Sequence, residues 1–485
     1  MIKLIIFVIL LGFVSCFPDN YYTPAYWDQQ ESIWLSYPSY NYLEPNHFQS
    51  SPKTIEEVIF SMIEIITKSQ KVSLVVNTQE EKTYIANWAK EKGILNDRLR
   101  MFFIENSEIW ARDYFGTFVV SEEGTKLELV CPGFNYWGYA KVPKEFQQTK
   151  DTGYLYDTSF DTLISNLDHK EEDQKEQEQE QEKAQEQEKE QGEFAFGDSF
   201  PRSFQTNLTR QLNIPIKRFP NYFTEGGDHS FNGDGLVIAS LAVEKQRNPD
   251  LQLEEIENNL KRIYNLEKII WVNKGPTEDY STFDGPVDGE FWTVGTGGHV
   301  DEHTRFVSAD TILIAQVTDE QVARDPLMRE TQANLEENLS MILNQTDQYN
   351  NPFKVIKMPV PEPIFFENVN KKDFVFHLLP SLLISRNVTK KKQLSDLQNL
   401  KLFSAASYMN FVIGNEFVLV SKYYKDGRSS SFKQTDEQAK LILQQVFPKK
   451  SIYQLFIDPI NAGGGGMNCI TQQQPSLYKR EFNKH

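Results

Sequence analysis

Short apolar runs alternate with amphipathic segments that carry helix-start signals, and this alternation restricts the chain to architectures that mix strands with helices. Residues 54–69 place Ile55, Val58, Ile59, Met62, Ile65 and Ile66 at helical spacing. Thr54 precedes them as N-cap, with Glu57 three residues on, the pairing of a capping box. Residues 78–92 predict a second amphipathic helix, capped by Thr78, with Glu80 and Glu81 in its first turn. Apolar runs at 34–37, 72–76, 101–104 and 117–120 read as strands. The pattern returns with strands at 237–242, 268–272, 311–316 and 411–420 and helices at 253–264, 332–343 and 436–446. The expectation is α/β, with any repeat structural, because no fixed sequence period is present.

A chain of 485 residues with 34 Phe and 21 Tyr can bury a large core. Its net charge of −18 argues against a nucleic-acid surface, since phosphate contacts need clusters of Lys and Arg. Much of that charge lies in residues 171–193, which hold 11 acidic residues against 3 lysines. This Glu/Gln/Lys-rich stretch, at about 170–193, cannot bury a core and reads as a surface insertion, extended or helical, with no chemistry of its own. Residues 390–400 read as a second exposed polar segment.

Residues 1–16 carry one early Lys, an apolar run from Leu4 to Val14, then Ser15 and Cys16. That composition predicts a signal peptide, leaving residues 17–485 as one domain that is secreted or enters the lumen of the secretory pathway. A lipoprotein acylated at Cys16 is the second reading, weakened by Phe13 at the start of the lipobox. No stretch is long and apolar enough to predict a membrane span. The sequons at Asn207, Asn338, Asn344 and Asn387 would be glycan acceptors in a eukaryotic secretory pathway. After cleavage Cys131 and Cys469 remain, and a disulfide between them is one possible pairing.

Four stretches concentrate chemistry. Residues 461–475 place four glycines, Gly463 to Gly466, three residues before Cys469, so backbone can pass close to a ligand beside a thiol. Residues 107–116 contain Trp110, Arg112 and Asp113 in a strand-end loop, where Arg112 and Asp113 could simply pair with each other. Residues 224–228 contain Glu225-Gly226-Gly227-Asp228, and Asp228, Asn232 and Asp234 resemble a calcium loop without its spacing. Residues 295–306 contain His299, Asp301 and His303. Extended backbone would turn His299 and Asp301 to one side, and His303 would make a partial zinc set lacking a nearby further ligand. Gly197-Asp198-Ser199 opens like a serine-esterase motif but has no His-containing partner motif near the C-terminus.

A pocket that united Cys469, His299, Glu225, Asp113 and Asp301 would combine a nucleophile, a proton carrier and several carboxylates. Carboxylates suit a planar cation with paired N–H donors, which points to thiolate attack on a guanidinium carbon. Trp110-x-Arg112-Asp113-x-x-Gly116, Glu225-Gly226-Gly227, Gly298-His299-Val300-Asp301-x-x-x-Arg305-Phe306, Ala406-Ser407-Tyr408-x-Asn410-Phe411 and Gly463-Gly464-Gly465-Gly466-x-x-Cys469-Ile470-Thr471-Gln472-Gln473 occur in that order. Together they resemble the motif series of agmatine deiminases and bacterial-type peptidylarginine deiminases of the pentein superfamily. The resemblance runs from about residue 24 to 475, interrupted near 170–193 and 366–400.

The resemblance implies a five-bladed α/β propeller of ββαβ units around a central pocket. It implies Cys469 as nucleophile, His299 as general acid/base, Glu225 as its orienting partner, and Asp113 and Asp301 as holders of the guanidinium. Trp110, Asn410, Gly465 and Gly466 would line the site. No metal or organic cofactor is implied. The implied substrate is agmatine, hydrolysed to N-carbamoylputrescine and ammonia. Conversion of peptidylarginine to citrulline is the alternative, and a catalytically inactive binding protein the third reading. Two positions depart from the family pattern: Asn468 stands where His commonly precedes the cysteine, and Gly466 where Asn commonly follows three glycines.

Overall fold

A computed structural model describes residues 21–38, 54–94, 97–106, 108–138, 199–284, 286–369 and 400–478. The leader at 1–16 with Cys16, the acidic stretch at about 170–193, Asn387 and most of the polar segment at 390–400 lie outside the described residues.

The helix Ile55–Ile66 shows how local sequence sets the elements. Thr54 accepts from the Glu57 amide and the Glu57 carboxylate accepts from the Thr54 amide, closing the expected capping box. Its buried stripe is Ile55, Val58, Ile59, Met62, Ile63 and Ile66. Truncating one such residue to Ala costs about 2–5 kcal/mol. Thr78 and Glu81 cap Gln79–Glu91 in the same way.

Five sheets share one pattern, in which a central strand has an antiparallel neighbour on one side and a parallel neighbour, reached through a helix, on the other. Thr117–Ser121, Leu127–Gly133 and Ile216–Phe223 form the core of one, with Tyr21–Tyr22 added antiparallel at its edge and Ser199–Leu212 before the last strand. His229–Phe231, Leu236–Ser240 and Lys268–Val272 make the second, crossing through Leu253–Tyr264. Thr304–Phe306, Thr311–Gln316 and Lys354–Pro359 make the third, crossing through Met328–Leu343. Val412–Ile413, Phe417–Lys422 and Ser451–Phe456 make the fourth, crossing through Ser430–Val446. In the fifth, Gln472–Pro475 pairs antiparallel with Gln30–Ser36, which runs parallel to Lys71–Val76, so early and late segments share one sheet. A sixth sheet, Phe291–Thr293, Leu400–Phe403 and Phe365–Val369, has the same ladder directions but a different chain order, its parallel strand Phe291–Thr293 coming first and its central strand Leu400–Phe403 last. The fold is mixed α/β.

Two predicted strands change shape. The run at 237–242 ends at Ser240, because the Ser240 hydroxyl accepts from the Val243 amide and starts the helix Leu241–Arg247. The run at 411–420 is two strands, Val412–Ile413 and Phe417–Lys422, turned at Gly414. A Cβ at Gly414 would lie 2.2 Å from the Phe417 ring, so only glycine fits the turn.

The structure closes one sequon. Asn338 is fully buried, its oxygen accepting from the Asn273 amide at 2.7 Å and its nitrogen donating to the Lys274 carbonyl at 2.9 Å. Among the described residues, no helix is long and apolar enough to cross a membrane.

Candidate active site

The glycine run follows the short helix Asp458–Asn461, and the Asn461 side-chain Nδ2 donates to the Gly465 carbonyl at 2.9 Å. A Cβ at Gly465 would stand 2.9 Å from the Trp110 ring and 3.0 Å from Cys469 Sγ. One at Gly466 would stand 2.6 Å from Asn410 Oδ1. The glycines are therefore places where an indole, a carboxamide and the thiol lie against bare main chain. Around Sγ are Asn410 Nδ2 at 3.1 Å, the Gly466 amide at 3.5 Å, Asp301 Oδ2 at 3.6 Å and Glu302 Oε1 at 3.8 Å.

His299 is set by a loop wrapped around Asp279. That carboxylate accepts from the Thr296 amide, from the Gly298 amide at 2.9 Å and from the His299 amide at 3.1 Å. Gly297 and Gly298 have φ of 86° and 114°, which permits the wrap. The expected extended segment is absent here: Val300–Glu302 is a 3₁₀ turn, and it brings Asp301 and Glu302 to the sulfur. His303 is turned away from this group, with Nδ1 2.9 Å from Thr304 Oγ1, so the predicted His299–Asp301–His303 set does not assemble.

A buried line of charge runs behind His299. Glu225 Oε2 lies 3.2 Å from His299 Nε2, and Arg247 Nε reaches both Glu225 oxygens at 2.9 Å. Asp113 closes the other side from the helix Ala111–Tyr114. Its Oδ1 accepts from the Gly227 amide at 2.9 Å and its Oδ2 from Trp137 Nε1 at 2.8 Å. The local Arg112–Asp113 pair is not formed: Arg112 instead donates to Asn468, Gln472 and Gln473.

Burial pushes the Asp113 carboxyl up to about 6, against the opposing pull of His299. Burial alone would depress His299, but Asp113 and Glu225 outweigh it and raise the imidazole above its ordinary value. Glu225 is held at about 2, since Arg247 and His299 overcome its desolvation. Burial, then Asp301, Glu302 and Asp113, hold the Cys469 thiol well above its usual range. The site is thus a buried, acid-rich cluster that disfavours the thiolate until a cation arrives.

Cys131 and Cys469 are both free and buried, which removes the disulfide reading. Asp228, Asn232 and Asp234 do not form a calcium loop. Asp228 accepts from the Ser240 amide, while Asn232 Oδ1 accepts from the Asp234 and Leu236 amides to close a turn. Two buried groups have donor atoms spaced for a metal, Asp228–His229–Glu244 and Asp301–Glu302–Cys469. In the first, Glu244 is already taken by the Tyr222 and Thr224 hydroxyls at 2.5 Å each. The second is the thiol site itself.

Arg247, Asp279, Trp137 and Glu302 escaped the sequence reading. Glu302 adjoins the His299–Asp301 motif and could have been included. The others are single polar residues far along the chain from their partners.

A family model described as Porphyromonas-type peptidyl-arginine deiminase matches residues 22–475. A curated protein of Marinomonas sp. (strain MWYL1), provisionally named an agmatine deiminase, is 24% identical over 94% of this chain and 95% of its own length. The solved agmatine deiminase of Enterococcus faecalis is 20% identical, with TM-score 0.63 over 94% of this chain and 96% of that one. A C. jejuni agmatine deiminase with substrate bound is 18% identical, with TM-score 0.59 over 94% and 97%.

Proposed function

The chain belongs to the Porphyromonas-type peptidyl-arginine deiminase family, and from that premise we propose that it hydrolyses agmatine to N-carbamoylputrescine and ammonia. One observation carries the reading. Cys469 Sγ sits 3.6 Å from Asp301 and within the field of Asp113, which in turn acts on His299 at the end of the His299–Glu225–Arg247 line. We infer too that the five sheets whose parallel strand follows the central one through a helix surround this site as propeller blades.

In the proposed reaction, Asp113 and Asp301 hold the guanidinium over the sulfur. The arriving cation offsets the surrounding carboxylates, which favours loss of the Cys469 proton on binding. The thiolate adds to the guanidinium carbon. His299, charged through Glu225 and Asp113, donates a proton to the departing nitrogen, and ammonia leaves. The neutral imidazole then takes a proton from water as it attacks the S-alkylthiouronium carbon, releasing the ureido product and the thiol. Glu225, locked by Arg247, holds the ring in orientation. Trp110 and Asn410 flank the sulfur, and Gly465 and Gly466 let both side chains and the thiol lie against bare main chain.

The names of the relatives in the curated and solved sets favour agmatine, while the family description favours protein-bound arginine. Product analysis separates them: N-carbamoylputrescine from agmatine, or citrulline within an arginyl peptide. Ammonia release that survives in Cys469→Ala would overturn the mechanism for both. We propose further that residues 1–16 are a cleaved leader for secretion, to be checked by sequencing the mature N-terminus.

A further inference from the structure

Asn468 is the residue before the thiol and one of the two departures from the family pattern. It is fully buried between a cation and an anion. Arg112 Nη2 lies 3.1 Å from its Oδ1, and its Nδ2 lies 2.7 Å from Asp301 Oδ2. The orientation of the amide is dictated by chemistry. A guanidinium can only donate, so the atom facing Arg112 is the oxygen, and the NH₂ must then face Asp301. Arg112 is itself immobilised. Its Nε donates to the Asn468 carbonyl at 3.3 Å, its Nη1 to Gln472 Oε1 at 2.6 Å and its Nη2 also to Gln473 Oε1. Its guanidinium stacks on the Tyr26 ring at 4.8 Å. The Asn468 amide N–H donates to Asn410 Oδ1 at 2.7 Å, which ties the same residue to the carboxamide that touches the sulfur.

The consequence falls on Asp301. Its Oδ2 is committed to Asn468, while its Oδ1 is buried with no hydrogen-bond partner among the described residues. We infer that Asn468 is a positioning residue for guanidinium recognition, fixing the Asp301 carboxylate so that Oδ1 faces the substrate. This rests on the proposed deiminase function. The neutral amide relays the orientation of Arg112 without lending its charge to Asp301. A direct Arg112–Asp301 pair would satisfy the carboxylate internally and compete with the substrate cation. The other titratable and charged groups facing Asp301 include Cys469, Glu302, Asp113 and Arg305, and none of them replaces the Asn468 donor.

The test uses Asn468→Asp, which keeps an acceptor for Arg112 but withdraws the donor from Asp301. In the full-length Cys469→Ala protein, agmatine binding is measured by titration calorimetry with and without Asn468→Asp. In the cysteine-intact enzyme, KM and kcat are followed alongside Tm. The expected result is a Kd and KM at least about tenfold higher, with kcat changed less than KM and Tm lowered, because a second buried carboxylate then faces Asp301. Asn468→Ala removes both contacts, so it should weaken binding similarly while lowering Tm. A Kd within about twofold of the parent in either variant overturns the inference, as does a fall in kcat at constant KM. Should the Cys469→Ala parent bind neither agmatine nor an arginyl peptide, the deiminase reading itself fails, and the positioning role with it.

Discussion

Replacing Gly227 by Ala tests the His299–Asp113 geometry with a single methyl group. The φ of Gly227 is outside the left-handed region, so alanine can adopt the backbone. The added Cβ would lie 2.4 Å from His299 Nδ1, 3.1 Å from its Cε1 and 3.0 Å from Asp113 Oδ1. Comfortable contact between such atoms is about 3.5 Å, so the imidazole must retreat by roughly 1 Å. The ring cannot do this freely, because Nε2 is held 3.2 Å from Glu225, which is clamped by Arg247. A displacement of about 1 Å at a reacting group costs on the order of 100-fold in rate. The stability cost is smaller. Overpacking costs about 1–3 kcal/mol, and reduced freedom of the unfolded chain returns about 0.4–1 kcal/mol. Gly227→Ala should therefore fold, melt a few degrees lower and lose most of its activity. The assay is coupled ammonia release from agmatine, with Tm read on the same sample. Gly427→Ala is the control: it has φ of 89° and open space around its Cβ, so it carries backbone strain away from the site. A Gly227→Ala enzyme that keeps kcat/KM within threefold of the parent would refute the assignment of His299 as the proton carrier.

Three other outcomes follow from the same geometry. Trp137→Phe removes a donor to ionised Asp113, so its pKa, already about 6, should rise, and the acid limb of kcat/KM against pH should move upward with it. An unmoved limb would mean that Asp113 does not set it. Arg247→Met leaves Glu225 buried without its cation and should cost about 3–5 kcal/mol by denaturant unfolding, with loss of activity. Expression through a eukaryotic secretory route should give no glycan at Asn338 in folded protein by mass mapping, because both functions of that amide are already hydrogen-bonded inside.

What the sequence displays best is whatever is decided within one turn or one strand. Leu253–Tyr264, Lys268–Val272 and Thr311–Gln316 end where apolar periodicity and flanking polar residues say they should. Three-residue strands such as His229–Phe231 and Thr304–Phe306 are too short to show alternation, and they exist because a longer neighbour supplies their hydrogen bonds. The same limit applies at the site. Cys469, His299 and Glu225 stand in glycine-marked loops that draw attention in the sequence, and Asp113 stands in the one-turn helix Ala111–Tyr114, where the sequence predicts a strand-end loop. Arg247 lies in an ordinary helix and Asp279 lies 20 residues before His299, so neither carries a local signal. The extended reading of 299–303 failed because the Glu302 and His303 amides turn back to the His299 and Val300 carbonyls, in a segment that Asp279 anchors through the Thr296, Gly298 and His299 amides.

The placement of the arginines completes the electrostatic argument. A pocket for a cation needs carboxylates, yet buried carboxylates need compensation. This chain provides it from behind. Arg247 binds Glu225 directly, which takes that acid out of competition for substrate and leaves it to orient His299. Arg112 spends its donors on neutral acceptors: one carbonyl, Asn468, Gln472 and Gln473. Arg305 donates to the carbonyls of Met409 and Phe411 and stacks over the Phe411 ring at 4.3 Å. Arg305 lowers the cost of burying Asp301 without touching its carboxylate, while Arg112 reaches Asp301 only through the neutral Asn468 amide. The acid closest to the sulfur thus keeps an open oxygen, and the charge it lacks is the one that a guanidinium brings.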